Sequence, residues 1–133
     1  MKTILVVEVL AYARHFICKT LQNNGYNALG AATAQEAYDL LEQDPTEVSL
    51  VLSDFDNDDT NGFDLLRTIK NNICMEDIPV VFLTTKYHTD KIRFARETGL
   101  ACFIEKPFRE DKFFSEIDRA INIKGSIRNL GFA

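Results

Sequence analysis

Short runs of consecutive apolar residues alternate along this chain with longer stretches whose apolar positions recur every three or four residues. "TILVVEV" opens the series as a β-branched run suited to a strand buried on both faces. Ala11 to Asn24 reads as a helix, with Phe16, Ile17 and Leu21 on one side and Gly25 as its stop. "YNALGAA" is a weaker strand. Thr33 with Glu36 three residues on forms a capping box for a helix over Ala34 to Gln43, and Pro45 follows it. "VSLVLS" is the third strand, and Phe63 to Asn72 is helical, with Leu65, Leu66, Ile69 and Ile73 at core spacing. "IPVVFLTT" is the fourth strand. Thr89 caps a helix ending at Gly99, and "LACFI" is the fifth strand. Arg109 to Lys124 then carries Phe113, Phe114, Ile117, Ala120 and Ile121 on one face, with Glu110 and Asp111 favouring its first turn. The last ten positions, "KGSIRNLGFA", have no clear period and read as a tail or linker, which leaves one domain over residues 1–123.

Strict alternation of apolar strands with helices implies an α/β fold, a parallel sheet covered on both faces. Right-handed crossovers make it open and doubly wound. Ligands of such sheets bind beyond the carboxyl ends of the strands. That rule picks out residues. Glu8 ends the first strand, Asp54 the third, Thr84 the fourth, and Lys106 follows the fifth.

Composition narrows the picture further. Twenty acidic against fifteen basic residues give a net charge of −5, which argues against binding nucleic acid through bulk charge. The N-terminal apolar run is broken by Glu8, and no run approaches the ~20 residues of a membrane span, so a soluble, cytoplasmic protein is expected. Cys18, Cys74 and Cys102 are odd in number and widely spaced, which fits buried small apolar residues better than a disulfide or zinc framework.

The acidic stretch "DFDNDDTNG" after the third strand needs a separate account. Asp54, Asp56 and Asp58 match the first three ligand positions of an EF-hand loop, but the glycine and glutamate positions fall on Asp59 and Leu65. An aspartate, a second acid, a hydroxyl and a lysine on one sheet edge suit phosphorylation of a carboxylate. Two anions must approach one another in that reaction, so a divalent cation and an ammonium are needed to screen them. Taken singly, a strand-end threonine or a lysine is ordinary. Their coincidence at successive strand ends is what carries weight. His15 and His88 have nothing acidic or metal-like spaced around them and read as surface residues.

In this order, "ILVVE", "LVLSD", "GFDLL", "IPVVFLTT" and "CFIEKPF" resemble a response-regulator receiver domain of the chemotaxis type. The resemblance runs from Lys2 to about Ile123. It implies a flavodoxin-like five-stranded sheet in the order 2-1-3-4-5. It also implies that Asp54 is the phosphoacceptor, that Lys106 pairs with it, that Thr84 binds the phosphoryl oxygens, and that Phe103 repositions as a switch. A plain core aromatic is the other reading of Phe103. Magnesium would be held by Glu8, Asp54 and Asp56, the last mainly through its backbone carbonyl, with a side-chain oxygen of Asp56 or Asp58 as a further ligand and Asp58 and Asp59 otherwise solvated. The implied partners are a histidine kinase or phosphotransfer protein and a downstream effector or output domain, with no membrane and no nucleic acid bound by this domain. Turnover catalysis is not implied.

Two departures stand out. The family usually has adjacent acids after the first strand, and here Val9 follows Glu8, which implies a weakened magnesium site. Asp58 stands where the family often has proline. A receiver that serves only as an unphosphorylated interaction module is therefore one alternative. A phosphatase of the haloacid-dehalogenase type is another, because "DFDND" resembles its first motif. That motif normally follows the first strand, and the late acidic pair and cap are missing here.

Overall fold

The computed structural model describes residues 1–56, 62–85 and 89–129. Asp58, Asp59 and His88 lie outside the described residues. Ten elements alternate: β1 (Thr3–Val7), α1 (Ala11–Asn23), β2 (Asn27–Ala31), α2 (Ala34–Gln43), β3 (Val48–Asp54), α3 (Gly62–Lys70), β4 (Val80–Thr84), α4 (Thr89–Thr98), β5 (Cys102–Glu105) and α5 (Glu110–Asn129). The strands form one five-stranded sheet in the order β2-β1-β3-β4-β5, with every pair parallel.

Each central strand is apolar on both sides because both sides are covered. Leu5, Val7, Val51, Val80 and Phe82 pack with Leu41, Leu65, Leu66, Ile69 and Ala95 of α2, α3 and α4. The alternate residues Ile4, Val6, Leu50, Leu52, Val81 and Leu83 pack with Ile17, Leu21, Phe113 and Ile117 of α1 and α5. Fully burying each such side chain contributes roughly 1.5–3 kcal/mol, so this two-sided core dominates the favourable terms. The weak pattern of β2 has its cause here, since it is an edge strand with Asn27 and Gly30 exposed.

Local signals act where the chain turns. Glu36 N–H donates to Thr33 Oγ1 at 3.1 Å, and Ala32 N–H donates to Glu36 Oε2 at 2.7 Å, closing the capping box. Gly25 at φ 89° and Gly99 at φ 114° stop α1 and α4 in the left-handed region, where a Cβ is strained.

Four expectations from the pattern change. Phe16 is 61% exposed, because the core side of α1 is made by Ile17, Thr20 and Leu21. Ile73 is 85% exposed, because α3 ends at Lys70 and the helical period no longer applies three residues later. Cys74 is exposed in the same turn, while Cys18 and Cys102 are half-buried and all three are free thiols. The last helix continues past Lys124 to Asn129, so the backbone of the expected tail begins as helix.

Tyr26 joins the start of β2 to α5. Its ring stacks on Phe114, with centroids 5.9 Å apart, and its hydroxyl donates to Asp118 Oδ1. Burial first, and then the Asp118 hydrogen bond and charge, push the phenol up to about 12. Tyr26→Phe keeps the stack and should lower stability by about 1 kcal/mol in urea unfolding at neutral pH. A raised pKa means the contribution is complete below the usual phenol value near 10 and is lost as pH rises through about 12. The gap between native and variant should therefore close over that window.

Candidate functional site

Parallel pairing delivers the strand ends to one edge in fixed steps. Val7 pairs with Ser53, Asp54 with Leu83, and Thr84 with Glu105, so the residue ending each strand lies beside the next. Phe55 N–H donates to Leu83 O at 2.8 Å and Lys106 N–H to Thr84 O at 2.8 Å, extending the ladder just past the strands. Glu8 and Asp54 are each 4% exposed and Thr84 is 1% exposed. Polar groups buried this deeply need partners.

Lys106 supplies one. Its Nζ donates to Asp54 Oδ1 at 2.9 Å and lies 3.2 Å from Asp56 Oδ2. Burial works against its charge, yet the hydrogen bonds and charges of Asp54 and then Asp56 outweigh that and hold the ammonium above its usual range. Asp56 N–H also donates to Asp54 Oδ1, at 3.2 Å. The Asp56 carboxylate accepts from Thr84 Oγ1 at 2.8 Å and from Thr85 N–H at 3.0 and 2.9 Å. Burial of Asp56 opposes its charge, but the bonds from Thr84, Lys106 and Thr85 prevail and lower its pKa.

Glu8 lies on the other side of Asp54. Burial, and next the charge of Asp54, raise its pKa. Its Oε2 accepts from Leu10 N–H at 3.3 Å, and the Arg14 guanidinium donates to its carbonyl oxygen at 2.7 Å, not to its carboxylate. Val9 adds no donor atom. Among the described residues no group of three acidic, histidine or cysteine side chains is arranged around one metal position. Two buried carboxylates that repel one another nevertheless suit magnesium, which is bound through one or two carboxylates and keeps several waters.

Five of the expected residues, Glu8, Asp54, Asp56, Thr84 and Lys106, thus meet at one edge. Phe103 does not join them. It pairs with Phe82 within the sheet, packs against the core beneath α4, and carries the Arg96 guanidinium 5.5 Å from its ring centre. The sequence reading missed the Thr85 amide, and it considered the Asp56 side chain only as a further metal ligand, not as the partner of Thr84, Thr85 and Lys106. The available signal was an acid two residues beyond a buried strand-end acid, opposite a Thr-Thr pair ending the next strand.

Fold and site together define a flavodoxin-like α/β domain with an acidic, lysine-bridged cluster at the strand ends. The family model described as response regulator receiver domain matches residues 4–118, and the chain belongs to that family. It is 30% identical over 124 residues to the phosphate regulon transcriptional regulatory protein PhoB of Pseudomonas aeruginosa, covering 93% of this chain and 53% of PhoB. The chain therefore spans about half the length of that relative. It is 27% identical over 106 residues to the chemotaxis protein CheY1 of Helicobacter pylori, covering 79% of this chain and 85% of CheY1. Among solved structures, the non-phosphorylated HemR receiver domain of Leptospira biflexa is 31% identical with a TM-score of 0.79, covering 91% of this chain and 94% of that one. A receiver domain protein from Clostridium thermocellum shares the fold at a TM-score of 0.86 and 24% identity, covering 96% and 99% of the two chains. Members of the family act in two-component signalling and generally bind magnesium. Among the described residues, no helix is long and apolar enough to cross a membrane.

Gly62, the first residue of α3, is pressed against the site. A Cβ there would lie 3.1 Å from the Asp54 carbonyl oxygen and 3.2 Å from Ser53 Oγ. Gly62→Ala should cost roughly 1–3 kcal/mol in urea unfolding, because buried backbone has to shift. Gly30→Ala is the control. Its Cβ would meet the flexible Arg14 stem at 3.1 Å, and the change should stay within about 0.5 kcal/mol.

Proposed function

We propose that this receiver accepts a phosphoryl group on Asp54 from a phosphohistidine of a kinase or phosphotransfer protein. The observation that carries the reading is the 2.9 Å bond from Lys106 Nζ to the buried Asp54 carboxylate. An Asp54 oxygen attacks phosphorus, the phosphorus–nitrogen bond of the donor breaks, and its electron pair stays on the imidazole. The Lys106 ammonium offsets the charge that gathers between the acceptor and the incoming group. Glu8, Asp54 and the Asp56 carbonyl would hold magnesium, which supplies charge screening for the two approaching anions. Thr84 then turns its hydroxyl to the phosphoryl oxygens. Phe103, on β5 opposite Phe82 and in contact with Arg96 of α4, is placed to pass that change to the surface of α4 and β5, where an effector or output domain reads it.

Incubation with acetyl phosphate and magnesium should add the mass of one phosphoryl group to the native protein and none to Asp54→Asn. Lys106→Ala should label about a hundredfold more slowly. Absence of label from the native protein and from every variant that keeps Asp54 would make the chain an interaction module, and repeated turnover of an aryl phosphate would make it a phosphatase.

Val9 motivates a separate measurement. Val9→Asp adds a second acid beside Glu8 and should bind magnesium about tenfold more tightly in a fluorescence or calorimetric titration. Equal affinity for the two proteins would mean that Val9 does not limit the metal site.

A further inference from the structure

The Asp56 carboxylate is held by an unusually complete set of donors. Oδ1 accepts from Thr84 Oγ1 at 2.8 Å and from Thr85 N–H at 3.0 Å. Oδ2 accepts from Thr85 N–H at 2.9 Å and lies 3.2 Å from Lys106 Nζ. A hydroxyl, a main-chain amide and an ammonium, drawn from the ends of β4 and β5, converge on one small anion. Those groups are also what the oxygens of a phosphoryl group on Asp54 would need, since Lys106 already bonds Asp54 Oδ1. The Asp56 N–H is bonded to that same Asp54 oxygen at 3.2 Å, so the anion and the acceptor share one turn of chain.

We propose that the Asp56 side chain is a built-in counter-anion that occupies the phosphoryl-binding donors of the unphosphorylated protein and must leave when Asp54 is phosphorylated. This rests on Asp54 being the acceptor. A phosphoryl group brings about −1.5 to −2 charges and three acceptor oxygens. It cannot share Thr84, Thr85 and Lys106 with a carboxylate, because like charges at contact distance repel strongly away from bulk water. Two consequences follow from the geometry. Phosphorylation is slowed by the need to displace Asp56, and Thr84 is held in place by an internal anion before any phosphate arrives. Asp56 is a positioning residue here, acting through the groups that bind the phosphoryl oxygens.

The test uses acetyl phosphate, where the Asp54 oxygen bonds to phosphorus as the phosphorus–oxygen bond to the acetyl group breaks and acetate leaves with the electron pair. Asp56→Asn keeps the size and one acceptor oxygen but removes the charge. By intact mass at matched magnesium, it should label about tenfold faster than the native protein, whereas loss of a merely structural contact would slow labelling. Labelling of the variant alone supports the proposal in its strongest form. Labelling of the native protein with an equal or slower rate in Asp56→Asn overturns the counter-anion and leaves the role of Asp54 standing. Absence of label from both overturns the role of Asp54 and this inference with it. A second readout needs no phosphate. Amide exchange at Thr85 should be slow in the native protein and at least about tenfold faster in Asp56→Ala. Unprotected exchange in the native protein overturns the proposal whatever the labelling shows.

Discussion

One ammonium between two carboxylates governs this end of the molecule. Asp54 is buried at the tip of a central strand, and a carboxylate so placed is tolerated only with a charged or hydrogen-bonded partner. Lys106 is that partner, and it reaches Asp54 because β5 lies beside β4 in a fixed register. Asp56 then joins the same ammonium and brings Thr84 and Thr85 with it. The apolar layers on both faces of the sheet hold these strand ends still enough for a 2.9 Å contact to persist. Breaking such a pair by deleting one member leaves an uncompensated buried charge, which is costlier than never having built it.

The fold was largely legible because its causes are local and periodic. Continuous apolar runs mark strands covered on both sides, and the Thr33–Glu36 capping box and the two left-handed glycines mark where helices start and stop. Signals that depend on the exact end of a helix were less legible. Ile73 and Cys74 turn outward because α3 stops at Lys70, and no strong breaker in the sequence marks that point. Phe16 shows a different limit. Helical periodicity assigns a face only to within a residue or so, and Ile17 and Thr20 filled the space instead.

The site divides in the same way. Glu8, Asp54, Thr84 and Lys106 could be named because strand ends collect at one edge of a parallel sheet, a rule of topology. What Asp56 does with its side chain was not readable, because it depends on where a two-residue excursion points once the strand has ended. The charge balance it produces is uneven. Asp54 and Asp56 share the lysine, while Glu8 faces Asp54 with Val9 as its neighbour, and burial with that proximity raises its pKa.

The hydrogen bond from Lys106 N–H to Thr84 O has a meaning beyond holding an edge strand in place. Side chains along a strand alternate between faces, so a slip of one residue between β4 and β5 turns every group on the slipped strand to the opposite side. The ammonium and the threonine hydroxyl are therefore delivered together or not at all. Alignment of the charged cluster is a discrete property of the fold, like a key cut with one permitted notch. Change at this edge has to come by exchanging side chains, as at Val9, because the backbone offers no intermediate positions through which the arrangement could drift.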